Sequence, residues 1–427
     1  MSKKITSGVS AVWGAVLHRM FARTVWLMIM VLALTQGCAV LTHTDSVSTD
    51  AEVSRYARSG DLRAEVNSMA QPLIDAGQVP GIVVGVLMPD RSRQFFSYGI
   101  RDQATRAKPD GQTIFPVGSV SKGFVGAIAA QLVQTGALSW NDTLAEHLPA
   151  GTPLSRDAQK ITLIQLASHT AGLPRQPNPP RLGAYLIQYF FTGENFYRNL
   201  DRNYLMRYLA GFKAPDPIRP QSSNIGFAYL SYAMELQTGK SDDQLLAEFI
   251  LQPLGLHQTG YDPERLTGWS NHAQGHAGDQ PQFIRRGKPL RPWRFTQALR
   301  SSVGLYTSAE DLLTFASAYL HGSGDIRRDA ALRDTLQRRA DPPPFTAAVA
   351  WTLDDFDGRT VAYQTGVAEG FACYLGLDME RKTAVVVLQN GLNWTDHIGH
   401  RLLLRMSRAY DQKRLVGRGP ESPATSP

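Results

Sequence analysis

Residues 82–87 run Ile-Val-Val-Gly-Val-Leu without a polar side chain, directly after the break Val79-Pro80-Gly81. An apolar run this short, bounded by Pro and Gly, predicts a buried strand. Residues 94–99, Gln-Phe-Phe-Ser-Tyr-Gly, predict its partner through a turn at Pro89-Asp90. So tight a connection requires antiparallel pairing. Residues 61–77 have helical spacing ahead of this pair. From Ser119 to about residue 255 the apolar positions follow a helical period, and residues 181–212 are dense in aromatics, which core packing explains best. Strand patterns return at 348–353, 360–363, 371–375 and 383–388, and an amphipathic helix follows over 396–410. Strands at both ends with helices between them predict an α/β (α+β) fold. One antiparallel sheet is built from both chain ends and flanked by helices, with a mostly helical region, about 119–290, inserted.

The ends of the chain read differently. The first 37 residues carry Lys3, Lys4, Arg19 and Arg23 and no acid, and the apolar run 25–34 follows. Ten apolar residues are too few to span a bilayer but suit the core of a signal peptide. Thr35-Gln-Gly-Cys38 resembles a lipoprotein cleavage site, so Cys38 is the expected lipidation point. An ordinary signal or a short N-terminal anchor are the other readings, and all three export the protein. Residues 38–60, rich in Ser, Thr and Asp, predict a flexible linker. Residues 411–427 predict a disordered tail. The expected location is periplasmic, membrane-anchored through the lipid. The net charge is +7, of which the N-terminal segment supplies +4. The surplus left to the body is too small for nucleic-acid binding. Cys38 and Cys373 are the two cysteines; with Cys38 lipidated no disulfide forms. His272 and His276 stand four apart among Gly and Asn, a poor zinc pattern. The expectation is therefore no metal and no cofactor. The basic residues Arg285, Arg286, Lys288, Arg291 and Arg294 suggest a solvated hairpin.

Candidate chemistry sits at Phe115-Pro-Val-Gly-Ser119-Val-Ser-Lys122, ahead of Phe124, Val125, Ile128, Ala129, Leu132 and Val133. Ser119 and Lys122 fall on one face of a first helical turn. The N–H groups of that turn lack intrahelical partners and can hold an oxyanion. A serine hydroxyl needs an adjacent base. A buried Lys can serve, whereas Arg cannot deprotonate. The chain has 10 Lys against 34 Arg, so a Lys here is less apt to be casual. The Ser-x-x-Lys spacing is nonetheless common by chance.

The wider context resembles the serine β-lactamase and penicillin-binding-protein superfamily, in the branch of class C β-lactamases, D-alanyl-D-alanine carboxypeptidases and related esterases. The stretches that carry the resemblance, in order, are Val79-Pro80-Gly81, 115–122, Gly136-Ala-Leu-Ser-Trp-Asn-Asp142, 161–174 with His169-Thr170-Ala-Gly172, Asn224-Ile-Gly226, Pro253-Leu-Gly-Leu256, 304–312, Thr365-Gly366 and Gly370-Phe371. They span about 61–408 and imply a hydrolase domain over 61–410. The resemblance implies that Ser119 forms an acyl-enzyme and Lys122 is its base. Asn224 would bind the substrate amide and Lys122, and the N–H of Val367 would join that of Ser119 as oxyanion hole. His169 and Thr170 would position the loop after their helix. Two positions depart from the branch: Ser222 stands where a Tyr is usual, as a possible proton relay, and Gln364 replaces the Lys or His ahead of Thr365-Gly366. Gln364 carries no charge for a substrate carboxylate. The implied function is a serine hydrolase acting on a D-alanyl peptide, a β-lactam or a small ester. The alternative is a catalytically impaired cell-envelope binding or regulatory protein that retains the fold.

Overall fold

The computed structural model describes residues 49–177, 195–278, 286–291, 293–340, 346–393 and 397–417. The signal segment, Cys38, most of the expected linker and the last ten residues lie outside them, as do Tyr185, Tyr189, Phe190, Phe191 and Arg285.

Seven strands form one sheet in the order β2-β1-β9-β8-β7-β6-β5. These are β1 (Gly81–Leu87), β2 (Arg93–Gly99), β5 (Thr346–Ala347), β6 (Thr352–Phe356), β7 (Arg359–Ala368), β8 (Phe371–Asp378) and β9 (Thr383–Gln389). Every pairing is antiparallel, and β1 lies beside β9 with Val83 opposite Leu388. The two ends of the chain therefore close one sheet, as the strand pattern predicts. β1 is buried along its whole length because helices cover both faces. Val83 and Leu87 enter one core, and Ile82, Val84 and Val86 the other. That is the period-two alternation of a strand with no solvent face. Each such side chain contributes about 2 kcal/mol by leaving water.

One face is covered by α1 (Asp50–Ser59), α2 (Leu62–Asp75) and α10 (Ile398–Gly417). Helix α1 corrects the linker expectation. Thr49 and Glu52 form a reciprocal capping box, and Val53 and Tyr56 are buried. Arg405 of α10 pairs with Glu52 at 3.2 Å and with Glu65 of α2, so three helices share one buried guanidinium. Helix α10 also continues to Gly417, seven residues into the stretch expected to be a disordered tail.

The other face carries the inserted region. It includes α3 (Ser121–Gln134), α4 (Leu163–Ala167), α5 (Arg202–Ala210), α6 (Asn224–Thr238), α7 (Gln297–Val303), α8 (Ala309–His321), α9 (Ile326–Thr335) and the small pair β3 (Phe115–Pro116) with β4 (Tyr306–Thr307). Residues Ser121 to Leu132 of α3 are all buried, and Phe124 stacks on Phe315 of α8 at 4.1 Å. Among the aromatics of 181–212, Tyr197 and Phe212 are core residues. Among the described residues, no helix is long and apolar enough to cross a membrane.

Of the strand expected at 348–353, residues 348–351 are instead a turn between β5 and β6, and Thr352 and Leu353 begin β6. Ala350 takes φ +64°, and the N–H groups of Val349 and Ala350 are spent on Thr335 and Ala167. The turn is thereby pinned to α9 and α4 rather than laddered in the sheet.

Candidate active site

Ser119 stands in a short 3₁₀ turn, Gly118–Val120, that leads into α3. Gly118 has φ +52°, a left-handed conformation that favours glycine. The turn is braced from below. Ser121 Oγ donates to Gly118 O at 2.6 Å and accepts from Leu305 N at 3.0 Å, while Val117 N donates to Leu305 O. Residues 117–121 thus lock the backbone of Ser119 beside Leu305, just ahead of β4.

Lys122, 2% exposed, places Nζ 2.8 Å from Ser119 Oγ and 2.8 Å from Asn224 Oδ1. Asn224 is the first residue of α6 and is itself buried. Its position depends on Ser223, whose Oγ caps the helix at Gly226 N (3.0 Å) and donates to Pro174 O (2.7 Å). Ser223 is a residue the motif reading missed, although a Ser directly before an apolar helical run is an N-cap signal. Asn224 N donates to Arg175 O at 2.8 Å.

His169 takes φ +62° and holds the neighbouring segment twice. Its carbonyl accepts Gln221 N (3.0 Å), and its Nδ1 accepts Ser223 N (3.1 Å). Nδ1 is therefore unprotonated and Nε2 carries the proton. The ring keeps one edge on the cleft and is otherwise enclosed, tilted against Phe227 at 5.1 Å. Burial, helped by the Lys122 charge, lowers its pKa to about 3, so the imidazole is neutral near pH 7.

The opposite wall is β7. A Cβ on Gly118 would lie 2.3 Å from Val367 O and 2.7 Å from Val367 N, and one on Gly366 would lie 1.9 Å from Val117 O. Only glycine at both positions lets the strand and the Ser119 turn approach this closely. Beyond Tyr363 strand β7 has no ladder partner on its β6 side among the described residues, so residues 364–368 edge the cleft. Gln364 is buried, and its carboxamide lies on α3, where a Cβ on Gly123 would meet Nε2 at 2.4 Å. Neither Nε2 nor Oε1 has a hydrogen-bond partner among the described residues.

Ser119, Lys122, Ser222, Gln364 and Thr365 line one cleft of about 70 Å³, together with His169, Ala350 and Tyr363. Asn224, Gly366 and Val367 reach it through the contacts above. Among the described residues Ser222 makes no hydrogen bond to Ser119 or Lys122; the bonded chain runs from Ser119 through Lys122 to Asn224. Among the same residues no cluster of His, Cys, Asp and Glu is arranged to hold a metal. His276 instead lies fully buried with Nδ1 against Asn390 O, and His272 stacks on Trp269.

The family profile described as Beta-lactamase matches residues 66–406. The chain belongs to the beta-lactamase family. Within it, the chain is 24% identical to a beta-lactamase of Yersinia enterocolitica, over 76% of this chain and 86% of that protein. It is 26% identical to the D-alanyl-D-alanine-carboxypeptidase/endopeptidase AmpH of Escherichia coli K12, over 67% of this chain but only 65% of that protein. Among solved structures, a class C beta lactamase from Rhodobacter sphaeroides superposes with a TM-score of 0.67 at 22% identity, covering 80% of this chain and 99% of that one. The D-alanine carboxypeptidase AmpC of Burkholderia cenocepacia gives a TM-score of 0.65 at 22% identity, covering 81% and 99%. These last two establish the β-lactamase/transpeptidase-like fold. The family's named members are serine hydrolases of the β-lactamase and D,D-carboxypeptidase type.

Proposed function

We propose that the protein is an exported serine hydrolase that works through an acyl-enzyme on Ser119. One observation carries the reading: a buried amine 2.8 Å from a serine hydroxyl, held there by Asn224. Lys122, once its amine has given up a proton, accepts the Oγ proton as Ser119 attacks the scissile carbonyl. The N–H groups of Ser119 and Val367 hold the oxyanion. Collapse expels the leaving group, which takes the proton from Lys122. Water then attacks the ester, again losing its proton to Lys122, and Ser119 is released.

Gln364 points to the substrate class. An uncharged carboxamide supplies no charge-assisted bond to a carboxylate. The favoured substrates are small esters or peptides without a free carboxylate there. D-alanyl peptides and β-lactams, the substrates named for relatives, come second. Labelling with a fluorescent fluorophosphonate tests the chemistry. The expected result is stoichiometric label on the wild type and none on Ser119→Ala; equal label on both, or none on either, removes the enzyme reading.

A second reading, a binding or regulatory protein that cannot turn over, is favoured by Ser222, for which the described residues show no hydrogen bond to Ser119. A stable acyl-enzyme without turnover would support it. Export through the N-terminal segment, with lipid on Cys38, belongs to the same proposal. Metabolic palmitate labelling that is unchanged in Cys38→Ala would end the lipoprotein part.

A further inference from the structure

Helix α4 ends on a residue that its own geometry does not favour. Thr170 N donates to Gln165 O at 2.9 Å and His169 N donates to Leu166 O at 3.5 Å, so the helix closes in a Schellman turn. The left-handed position of such a turn is ordinarily Gly; here it is His169, at φ +62°. A side chain in that region carries a backbone cost, which persists where the side chain is needed. The acylation chemistry itself gives this imidazole no task.

What the side chain does is reach α6. Nδ1 accepts Ser223 N at 3.1 Å, and the ring packs on Phe227, one turn further along that helix, with centroids 5.1 Å apart. Ser223 is only 3% exposed, so the imidazole takes the place of water as acceptor for its N–H. The loop 169–175 grips residues 221–224 through His169 O, His169 Nδ1, Pro174 O and Arg175 O. The imidazole is the side chain among these acceptors, and so the one that a substitution can remove. The residue after Ser223 is Asn224, which accepts from Lys122 Nζ at 2.8 Å. One peptide unit thus separates the imidazole's contact from the group that holds the amine. Burial, with the Lys122 charge, keeps the ring neutral near pH 7, so Nδ1 stays an acceptor.

We propose that His169 is a positioning residue for Lys122, acting through the Ser223 N–H on Asn224. The imidazole fixes the start of α6, and Asn224 passes that placement to the amine beside Ser119. The inference deepens the acyl-enzyme reading and rests on it for activity, but not for the placement of Lys122.

The test compares His169→Asn with His169→Gln in the full protein. Both side chains are neutral amides. Asn sets its oxygen where Nδ1 stands and tolerates a left-handed backbone; Gln carries its amide one carbon further out, level with Nε2. One readout is turnover of p-nitrophenyl butyrate. The other is the pH titration of Lys122, followed by NMR of ¹³C-labelled lysine and assigned by the signal lost in Lys122→Met. His169→Asn should stay within about threefold of the wild type, with the Lys122 midpoint in place. His169→Gln should lose about a hundredfold, the effect of an ångström-scale misplacement, mainly in kcat, and move the midpoint by about half a pH unit or more. Equal behaviour of the two variants overturns the proposal. So does the reverse order, which would assign Nε2 to direct contact with the substrate, and so does an unmoved midpoint in His169→Gln. The titration needs no turnover: a wild type that leaves the ester intact counts against the hydrolase reading, and the midpoint then decides the role of His169 alone.

Discussion

The two walls of the catalytic cleft are built on different terms. On the α3 side the polar groups form a bonded chain. Ser119 meets Lys122, Lys122 meets Asn224, and Asn224 is set by a capped helix start. On the β7 side the backbone is held as tightly, through Gly118 and Gly366, yet the Gln364 carboxamide is buried without a partner among the described residues. The first wall is a bonded chain in the free protein; the second holds a buried, uncharged carboxamide. The contrast separates reaction from recognition. On the proposed mechanism, the groups that would make an acyl-enzyme are preorganised, and the choice of substrate would rest with the β7 wall.

The largest test breaks the first wall. Lys122→Ala should lower kcat/KM on a chromogenic ester by on the order of 10⁴-fold or more. A loss under tenfold would mean that Lys122 is not the base. Gly118→Ala attacks the seam between the walls, since its Cβ would sit 2.3 Å from Val367 O in a left-handed backbone. A cost of about 3 kcal/mol in urea unfolding is expected, with loss of fluorophosphonate labelling in the protein that remains folded. Unchanged labelling would show that the Val367 N–H does not serve the oxyanion.

Gln364→Lys acts on the second wall alone. About a tenfold gain in kcat/KM for carboxylate-bearing substrates relative to neutral esters is expected. An unchanged ratio would show that Gln364 does not set the preference. The smallest effect concerns pH. His169 has a pKa of about 3 in the folded protein, against 6.5 for an ordinary, solvated imidazole. The unfolded chain therefore binds the extra proton first, and stability falls as pH drops from 6.5 toward 3. His169→Gln should flatten the slope of stability against pH in that window by up to one proton. The check is urea unfolding across the range, and an unaltered slope would mean that the imidazole ionises freely in the folded protein.

Much of this was legible in the chain. The apolar run 82–87 announced a central strand, and strands at both ends announced a sheet closed by both. Errors fell where composition spoke for structure. The Ser, Thr and Asp content of residues 38–60 read as a linker, although Thr49 and Glu52 spell a capping box, because what fixes α1 is Arg405, far away in sequence. Residues 348–353 have a strand-like composition, but hydrogen bonds to Thr335 and Ala167 turn 348–351 away from the ladder, which only Thr352 and Leu353 join.

At the active site the same division holds. Helical geometry alone puts Ser119 and Lys122 on one face of a turn, because a spacing of three is local and needs no other part of the chain. That Asn224 completes the pair, that Val367 abuts Gly118 and that Gln364 lies over Gly123 follows from the packing of α6 and β7 against α3. The family resemblance could nominate those residues, but a sequence period carries no information about contacts between elements. Those contacts were decided by which buried surfaces fit together, and they settle how the two walls of the cleft meet.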